Sequence, residues 1–253
     1  MALQNFNLAG KTAIVTGCNT GLGQGMALAL AEAGADVVGV NVTDPGDTGA
    51  GVEKLGRRFL DLRANLGDIS SIPELVAKAK AFTGDVHILV NNAGIIRRED
   101  AIKFSEADWD DVMDLNLKSV FFLSQAVARH YIAQGTGGKI INIASMLSFQ
   151  GGIRVPSYTA SKSGVMGITR LMANEWASHG INVNAIAPGY MATNNTAALR
   201  ADEQRNSAIL ERIPAGRWGK PEDLAGPVVF LASQASDYVN GYTIAVDGGW
   251  LAR

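Results

Sequence analysis

The stretch YTASK, Tyr158 to Lys162, puts a phenol and an ammonium group four residues apart, just after Pro156. On a helix, side chains at i and i+4 lie on one face, so the Lys162 ammonium can come near the Tyr158 hydroxyl. An unperturbed tyrosine has a pKa of about 10, and a nearby positive charge favours its phenolate. The spacing therefore predicts a proton-transfer group, although such a pair is also an ordinary feature of a helix surface.

A glycine-rich turn, TGCNTGLGQG, follows the first candidate strand. Its glycines are spaced G-x-x-x-G-x-G ahead of a helix, where a tight turn and a helix N-terminus favour a pyrophosphate. This spacing differs from G-x-G-x-x-G, and a strand-to-helix connection without a ligand is the alternative. We predict dinucleotide contacts along this turn, from Gly17, Asn19, Thr20, Gly21, Leu22 and Gly23.

The elements that must position these groups alternate short β-branched runs with Ala-rich stretches of helical period, which is typical of βαβ units. The candidate strands are TAIVTG, DVVGVNV, FLDLRA, HILVNNAG, GKIINIAS, INVNAIAPG and YTIAVDGG. The candidate helices cover residues 23–33, 72–83, 106–134, 157–178 and 221–232. We predict an α/β fold, a single domain over residues 1–253. Its doubly wound parallel sheet has about seven strands, with helices on both faces.

The segment 190–218 interrupts this alternation because it is polar and lies between the sixth strand and the last helix. Long insertions in compact domains are often lids over a site. We predict a substrate lid here, and a helical excursion with no moving role is the alternative.

Composition and charge limit the function classes. A formal net charge of -2 provides no broad basic field of the kind that nucleic-acid binding requires. Cys18 is the only cysteine, and the three scattered histidines lack the spacing of a zinc site, so no metal is implied. The sequence shows no signal-peptide pattern and no long uncharged apolar run, which favours a cytoplasmic protein without membrane contact.

Three motifs in order, the glycine turn from Thr16, NNAG at 91–94 and Tyr158-x-x-x-Lys162, resemble those of the short-chain dehydrogenases/reductases. The resemblance covers essentially the whole chain. It implies a Rossmann-type sheet that binds NAD(P) and a substrate on one subunit, usually within a homotetramer.

The resemblance also implies the catalytic groups. Ser145, at the end of GKIINIAS, would hydrogen-bond the reacting oxygen, and Tyr158 would transfer its proton. Asn116 would hold a water that links Lys162 to solvent. A serine that only ends a strand and a satisfied structural asparagine are the alternatives.

Further cofactor contacts follow from the same resemblance. Asn92, Ala93 and Gly94 would pack against the adenosine half, although a purely structural role is also open. Pro188, Gly189 and Thr193 match a P-G-x-x-x-T pattern that binds the nicotinamide carboxamide. Tyr158 and Lys162 would touch the cofactor as well.

The choice of cofactor rests on the end of the second strand, where an acid binds the adenosine ribose and repels a 2′-phosphate. Asn41 stands where the family places that acid, and Thr20 is uncharged where NADP-preferring members often carry arginine. Asn65 replaces an aspartate often found after the third strand. NAD(H) is favoured and NADP(H) is not excluded.

The segments expected around the substrate are polar and basic. Arg97 and Arg98 follow the NNAG turn, and Gln150 and Arg154 lie between Ser145 and Tyr158. Arginine binds carboxylates through paired hydrogen bonds, so a small anionic, polyhydroxylated sugar acid is the predicted substrate class. We expect substrate contacts from Ser145, Tyr158 and the polar residues Arg97, Gln150 and Arg154, while surface or intersubunit ion pairs are the alternative for each arginine.

Two other functions share parts of this pattern. A 3-oxoacyl-carrier-protein reductase has every family motif, but it needs a basic docking surface and usually favours NADPH. A sensor that binds NAD(H) without chemistry has no need of the intact Ser145, Tyr158, Lys162 and Asn116.

Overall fold

A computed structural model describes residues 2–253 of the chain. Within this range one sheet contains β1 (Thr12–Thr16), β2 (Asp36–Asn41), β3 (Phe59–Arg63), β4 (Ile88–Asn91), β5 (Gly138–Ile143), β6 (Ile181–Pro188) and β7 (Thr243–Val246). The strands lie in the order β3-β2-β1-β4-β5-β6-β7, and all neighbouring pairs are parallel. The predicted seven-stranded, doubly wound parallel sheet is confirmed.

The helices in the described part of the chain are α1 (Gly21–Glu32), α2 (Thr48–Lys54), α3 (Ile72–Thr83), α4 (Glu106–Met113), α5 (Ser119–Gln134), α6 (Pro156–Trp176), α7 (Ala197–Ala201), α8 (Glu203–Arg212) and α9 (Ala225–Ala232). The helix predicted over 106–134 is divided by a π-helical turn, Asp114–Lys118, between α4 and α5. Sequence periodicity missed α2, which is seven residues long and contains two glycines, poor helix formers. It also missed α7 and α8, which occupy the polar segment 190–218.

Helices cover both faces of the sheet. Successive strand residues point to opposite faces, so Ala13 and Val15 pack in the core shared with α1 and α9, while Ile14 packs in the core shared with α3, α5 and α6. Burial on both faces explains why the inner strands are continuous apolar runs rather than alternating ones.

The carboxyl edge of the sheet carries the functional segments. β1 lies between β2 and β4, so the strand order reverses direction between β1 and β4 and leaves a crevice where ligands of such sheets bind. The glycine turn follows β1, NNAG spans the end of β4, Ser145 comes shortly after β5, and Gly189 follows β6. Parallel strands therefore bring segments that are distant in sequence to one edge.

A small aromatic cluster attaches the segment 190–218 to the body of the protein. Tyr190 packs edge-to-face against Trp218 and Trp250, with ring centroids 5.5 and 4.8 Å apart. Trp250 is buried together with Ile209 and Ile213 from the region of α8. Trp250, whose place the sequence left open, therefore belongs to the core beneath this segment.

Candidate active site

The turn after β1 needs glycine at several positions. Gly17 and Gly21 have φ of 62° and 58°, in the left-handed region that favours glycine. A Cβ on Gly23 would overlap the Gly17 carbonyl oxygen. Thr20, at the N-cap of α1, makes no side-chain capping bond, so the first amides of α1 remain available to an anion.

We predict that Gly23→Ala weakens NADH binding by at least about tenfold and destabilises the protein by about 1–3 kcal/mol, because the added methyl must displace backbone. The matched control is Gly226→Ala, where an added Cβ would find no atom within 4 Å. Fluorescence titration with NADH and thermal unfolding measure both effects. Equal behaviour of the two variants would contradict this account of the turn.

Asn92 holds the glycine turn against β4. Its Nδ2 donates to the carbonyl oxygens of Thr16 and Gly17, both at 2.9 Å. The backbone amides of Asn92 and Ala93 both donate to Thr16 Oγ1 at 2.9 Å. Thr16 and Asn92 thus fix the glycine turn and the NNAG turn relative to each other, which is a structural role for NNAG. Asn92, Ala93 and Gly94 also line the cleft.

Asn41 ends β2 in the part of the cleft beside the glycine turn. Its Nδ2 donates to Asp61 Oδ1 at 3.1 Å, and its Oδ1 is buried without a hydrogen-bond partner among residues 2–253. A buried unsatisfied acceptor is costly unless a ligand satisfies it. Asn65 does not line the cleft, since its Oδ1 accepts from the Gly67 amide, and its neighbours Ala64 and Leu66 line the cleft instead.

The residues after β6 reach the opposite part of the cleft. Gly189 and Thr193 line it. Pro188 does not, because it is the last residue of β6, pairs with Val246 of β7 and is buried in the sheet. The structure thus places Pro188 in the sheet beside Gly189, and its contact with a cofactor stays a prediction.

Ser145 and Tyr158 face the same cleft from β5 and α6. Ser145 Oγ accepts from the Leu147 amide at 3.1 Å, which fixes the serine at the start of a 3-10 turn. The Ser148 hydroxyl donates to the Lys162 carbonyl oxygen at 2.6 Å and so joins that turn to α6. This network sets the Ser145 side chain beside the Tyr158 ring.

Lys162 is buried behind Tyr158. Its Nζ lies 5.7 Å from the centroid of the Tyr158 ring and donates to the Ile143 carbonyl oxygen at 2.6 Å. Burial lowers the pKa of the Lys162 ammonium to about 8. The helix spacing thus brings the two side chains together as predicted from the sequence.

The charge that acts on the phenol is a different one. Burial raises the pKa of Tyr158, while a hydrogen bond from Ser145 and the positive charge of Arg98 lower it. In this structure the Lys162 ammonium donates to the Ile143 carbonyl oxygen, and Lys162 is not among the groups that lower the pKa of Tyr158. Tyr158 is therefore a protonated acid near neutral pH.

Asn116 lies on the π-helical turn between α4 and α5 and is fully buried. Its Oδ1 accepts from the Ile95 amide and its Nδ2 donates to the Ile95 carbonyl oxygen, both at 2.9 Å, so its side chain does not line the cleft. π-helical turns of this kind often occur at functional sites. The side chain of Asn116 thus fixes the loop after NNAG, and its role in holding a relay water stays a prediction.

Two of the expected substrate contacts lie elsewhere. Arg97 is paired with Asp108 and Asp111 of α4, at 3.4 and 3.2 Å, and Gln150 is likewise outside the cleft. Arg154 does line the cleft, with φ of 62°, but its guanidinium is paired with Asp100 at 3.1 Å and Glu99 at 3.8 Å. The structure therefore places Arg97 and Gln150 outside the cleft, where the sequence led us to expect substrate contacts.

The cleft has a volume of about 760 Å³. Among the described residues that line it, the basic side chains are Arg98, Arg154, Lys162 and Arg205, and the acidic one is Asp202. Asp202 and Arg205 belong to the segment 190–218, which the sequence predicts as a lid, although no local signal predicts that α8 brings charges to the cleft. The excess of positive charge favours an anionic ligand.

These features fit a dinucleotide. The glycine turn leaves room for a pyrophosphate at the N-terminus of α1, and the unpartnered Asn41 Oδ1 can accept from a ribose hydroxyl. In the described residues no group of three metal-ligating side chains occurs, and no helix is long and apolar enough to cross a membrane.

The fold and this site define a short-chain dehydrogenase/reductase, and the chain belongs to that family. A family model described as Enoyl-(Acyl carrier protein) reductase matches residues 17–251.

Individual relatives resemble the whole chain. A 2-dehydro-3-deoxy-D-gluconate 5-dehydrogenase from Escherichia coli (strain K12) is 74% identical over 253 residues, which is 100% of both chains. The crystal structure of a gluconate 5-dehydrogenase from Burkholderia cenocepacia J2315 in complex with NADP and tartrate is 39% identical, with a TM-score of 0.95 over 100% of both chains. A short-chain type dehydrogenase/reductase from Mycobacterium marinum is 33% identical, with the same TM-score and coverage.

Proposed function

We propose that this protein transfers a hydride between NAD(H) and a keto-deoxy sugar acid, interconverting 3-deoxy-D-glycero-2,5-hexodiulosonate and 2-dehydro-3-deoxy-D-gluconate. The observation that carries the proposal is Ser145 and Tyr158 side by side in a basic, glycine-lined cleft at the carboxyl edge of the sheet. The name of the Escherichia coli relative, 74% identical over the full length, supports the choice of substrate.

In the direction of reduction, Ser145 and Tyr158 hold the ketone oxygen and Tyr158 gives up its proton as the carbon is reduced. A bound nicotinamide supplies the hydride in this direction and accepts it in the other. Reduction requires a protonated phenol, and burial of Tyr158 keeps it protonated. In the direction of oxidation Tyr158 is the base.

Lys162 and Asn116 restore the proton on Tyr158 in this proposal. Lys162 can lose a proton near pH 8, and its Nζ lies behind the tyrosine ring. The Asn116 side chain holds the backbone of Ile95, and in this proposal a water in this region links the lysine to solvent. Lys162 also lies where a nicotinamide ribose can accept from it.

We favour NAD(H) over NADP(H), although the Burkholderia cenocepacia relative binds NADP. Asp61 holds the Asn41 amide, and Arg63, the cation nearest to Asn41 in the strand register, is paired with Asp61 and Asp44. Two carboxylates against one guanidinium disfavour a 2′-phosphate.

Asp61→Asn tests this preference. Removal of one negative charge in a half-exposed site is worth about 1 kcal/mol, so the ratio of the NADPH and NADH dissociation constants should fall by roughly five- to tenfold. Nicotinamide fluorescence measures both constants. Asp110→Asn is the control, since it makes the same change of charge at an exposed position on α4. A wild-type protein that prefers NADPH would overturn the cofactor assignment.

The decisive assay follows NADH absorbance with 3-deoxy-D-glycero-2,5-hexodiulosonate. Rapid turnover supports the proposal. Faster turnover with a 3-oxoacyl-carrier-protein substrate supports the carrier-protein reductase, and NADH binding without turnover of any ketone supports the sensor.

The proposal includes an assembly and a cellular setting. We propose one domain over the whole chain, a homotetramer, and a role in uronate breakdown in the cytoplasm. Exposed apolar side chains on α5, α6 and before β7, namely Phe122, Ile132, Leu171 and Tyr242, support subunit contacts. Light scattering measures the assembly.

We also propose that residues 190–218 act as a substrate lid, which the position of Asn194 and Asn195 at the cleft supports.

A further inference from the structure

The arginines around the cleft differ in whether a carboxylate already neutralises them. Arg97 is held by two aspartates of α4 and lies outside the cleft. Arg154 lines the cleft but is paired with Asp100 and Glu99. A guanidinium engaged in this way must exchange a partner before it can bind a substrate, which reduces what it can contribute to affinity.

Arg98 is the neighbour of Arg97 in sequence but faces the other way. It lines the cleft, and its one side-chain hydrogen bond within residues 2–253 runs from Nη2 to the Asn195 carbonyl oxygen at 3.3 Å. No carboxylate in this described part of the chain lies within ion-pair distance of it. Most of its five donors are therefore free to bind an anion.

Arg98 also lies close to the reacting groups. Its positive charge acts on the Tyr158 hydroxyl, whereas that of Arg205, on α8, acts on Tyr190. A substrate that presents its ketone to Ser145 and Tyr158 would extend towards Arg98. The hydrogen bond to the Asn195 carbonyl oxygen joins this arginine to the segment 190–218.

We propose that Arg98 binds the carboxylate of the substrate and is the residue that selects sugar acids over neutral ketones. This inference rests on the proposed function for the identity of the substrate. A planar guanidinium with free donors binds a carboxylate through two parallel hydrogen bonds, and Arg98 is exposed and so accessible to such a ligand.

The test compares Arg98→Gln with the control Arg97→Gln, on the diketo acid and on its primary amide, which lacks the charge. With Arg98→Gln, kcat/KM for the acid should fall by roughly 10- to 10²-fold, because the charge-assisted hydrogen bonds to the carboxylate are lost. Activity on the amide should stay within a few-fold of the wild type. Arg97→Gln should change neither.

A second readout does not depend on turnover. Tartrate serves as a hydroxy-acid probe, and its dissociation constant from the NADH complex is followed by nicotinamide fluorescence. Arg98→Gln should weaken tartrate binding while leaving NADH binding unchanged.

Equal losses on the acid and the amide would overturn the proposal, because Arg98 would then act through Tyr158 alone and the pH profile would shift with both substrates. Unchanged activity on the acid would also overturn it. A wild-type protein that is inactive on the diketo acid refutes the proposed function, and the tartrate measurement still decides the role of Arg98.

Discussion

Replacement of Tyr158 by phenylalanine is expected to lower turnover by roughly 10²–10⁴-fold, because the variant loses the group that transfers the proton. The change removes one oxygen from a side chain that lines the cleft, and the interaction lost with it is the one with Ser145 at the cleft wall. Folding and NADH affinity should therefore stay close to those of the wild type. Steady-state kinetics, thermal unfolding and NADH fluorescence give the three quantities.

Tyr238→Phe is the matched control, because Tyr238 is fully exposed and removal of its hydroxyl changes nothing near the cleft. Since burial raises the pKa of Tyr158, the wild-type protein should keep its reductase activity across neutral pH. A Tyr158→Phe variant with turnover comparable to that of Tyr238→Phe would remove Tyr158 from the mechanism.

Replacement of Lys162 by methionine is expected to lower activity without lowering the stability of the protein at pH 7. Turnover should fall on the order of 10²-fold, since the route that restores the proton is lost. The lowering of the Lys162 pKa from 10.5 to about 8 corresponds to a penalty of about 3 kcal/mol for the charged lysine in the folded protein. The loss of its bond to the Ile143 carbonyl oxygen offsets part of that gain. At pH 7 the variant should thus be no less stable than the wild type.

The stability difference between the wild type and Lys162→Met should change with pH in a defined direction. The pKa of Lys162 is lower in the folded than in the unfolded chain, so between pH 8 and 10.5 the unfolded chain binds more protons. The stability of the wild type must then rise with pH through this window relative to Lys162→Met. Denaturant unfolding at pH 7, 8, 9 and 10 measures the difference.

Lys80→Met serves as the control for loss of a positive charge, since Lys80 is exposed on α3. The difference in stability between this control and the wild type should not change with pH in the same window. If the stability difference between the wild type and Lys162→Met does not change with pH, burial does not lower the pKa of Lys162. If Lys162→Met keeps full activity, Lys162 is not part of the proton route.

The fold could be read from the chain because its signals are local. Short β-branched and apolar runs predicted all seven strands, and their alternation with helices predicted parallel pairing. Where the local signal was weak, the prediction failed. The glycine-containing α2 and the polar α7 and α8 form because of contacts with the rest of the protein, and these are not visible in a short window of sequence.

Within the candidate site, the sequence by itself determined the glycine turn, the Tyr158 and Lys162 pair and the position of Ser145, because strand ends and helix spacing place them without reference to distant residues. Only the tertiary structure decided which charges face the cleft. Arg97 and Arg98 are neighbours on an extended loop and point to opposite sides, and the acids of α4 hold Arg97 away from the site. Likewise Asp61 reaches Asn41 only because β3 lies beside β2, so the direction of a charged side chain depended on contacts between residues far apart in the chain.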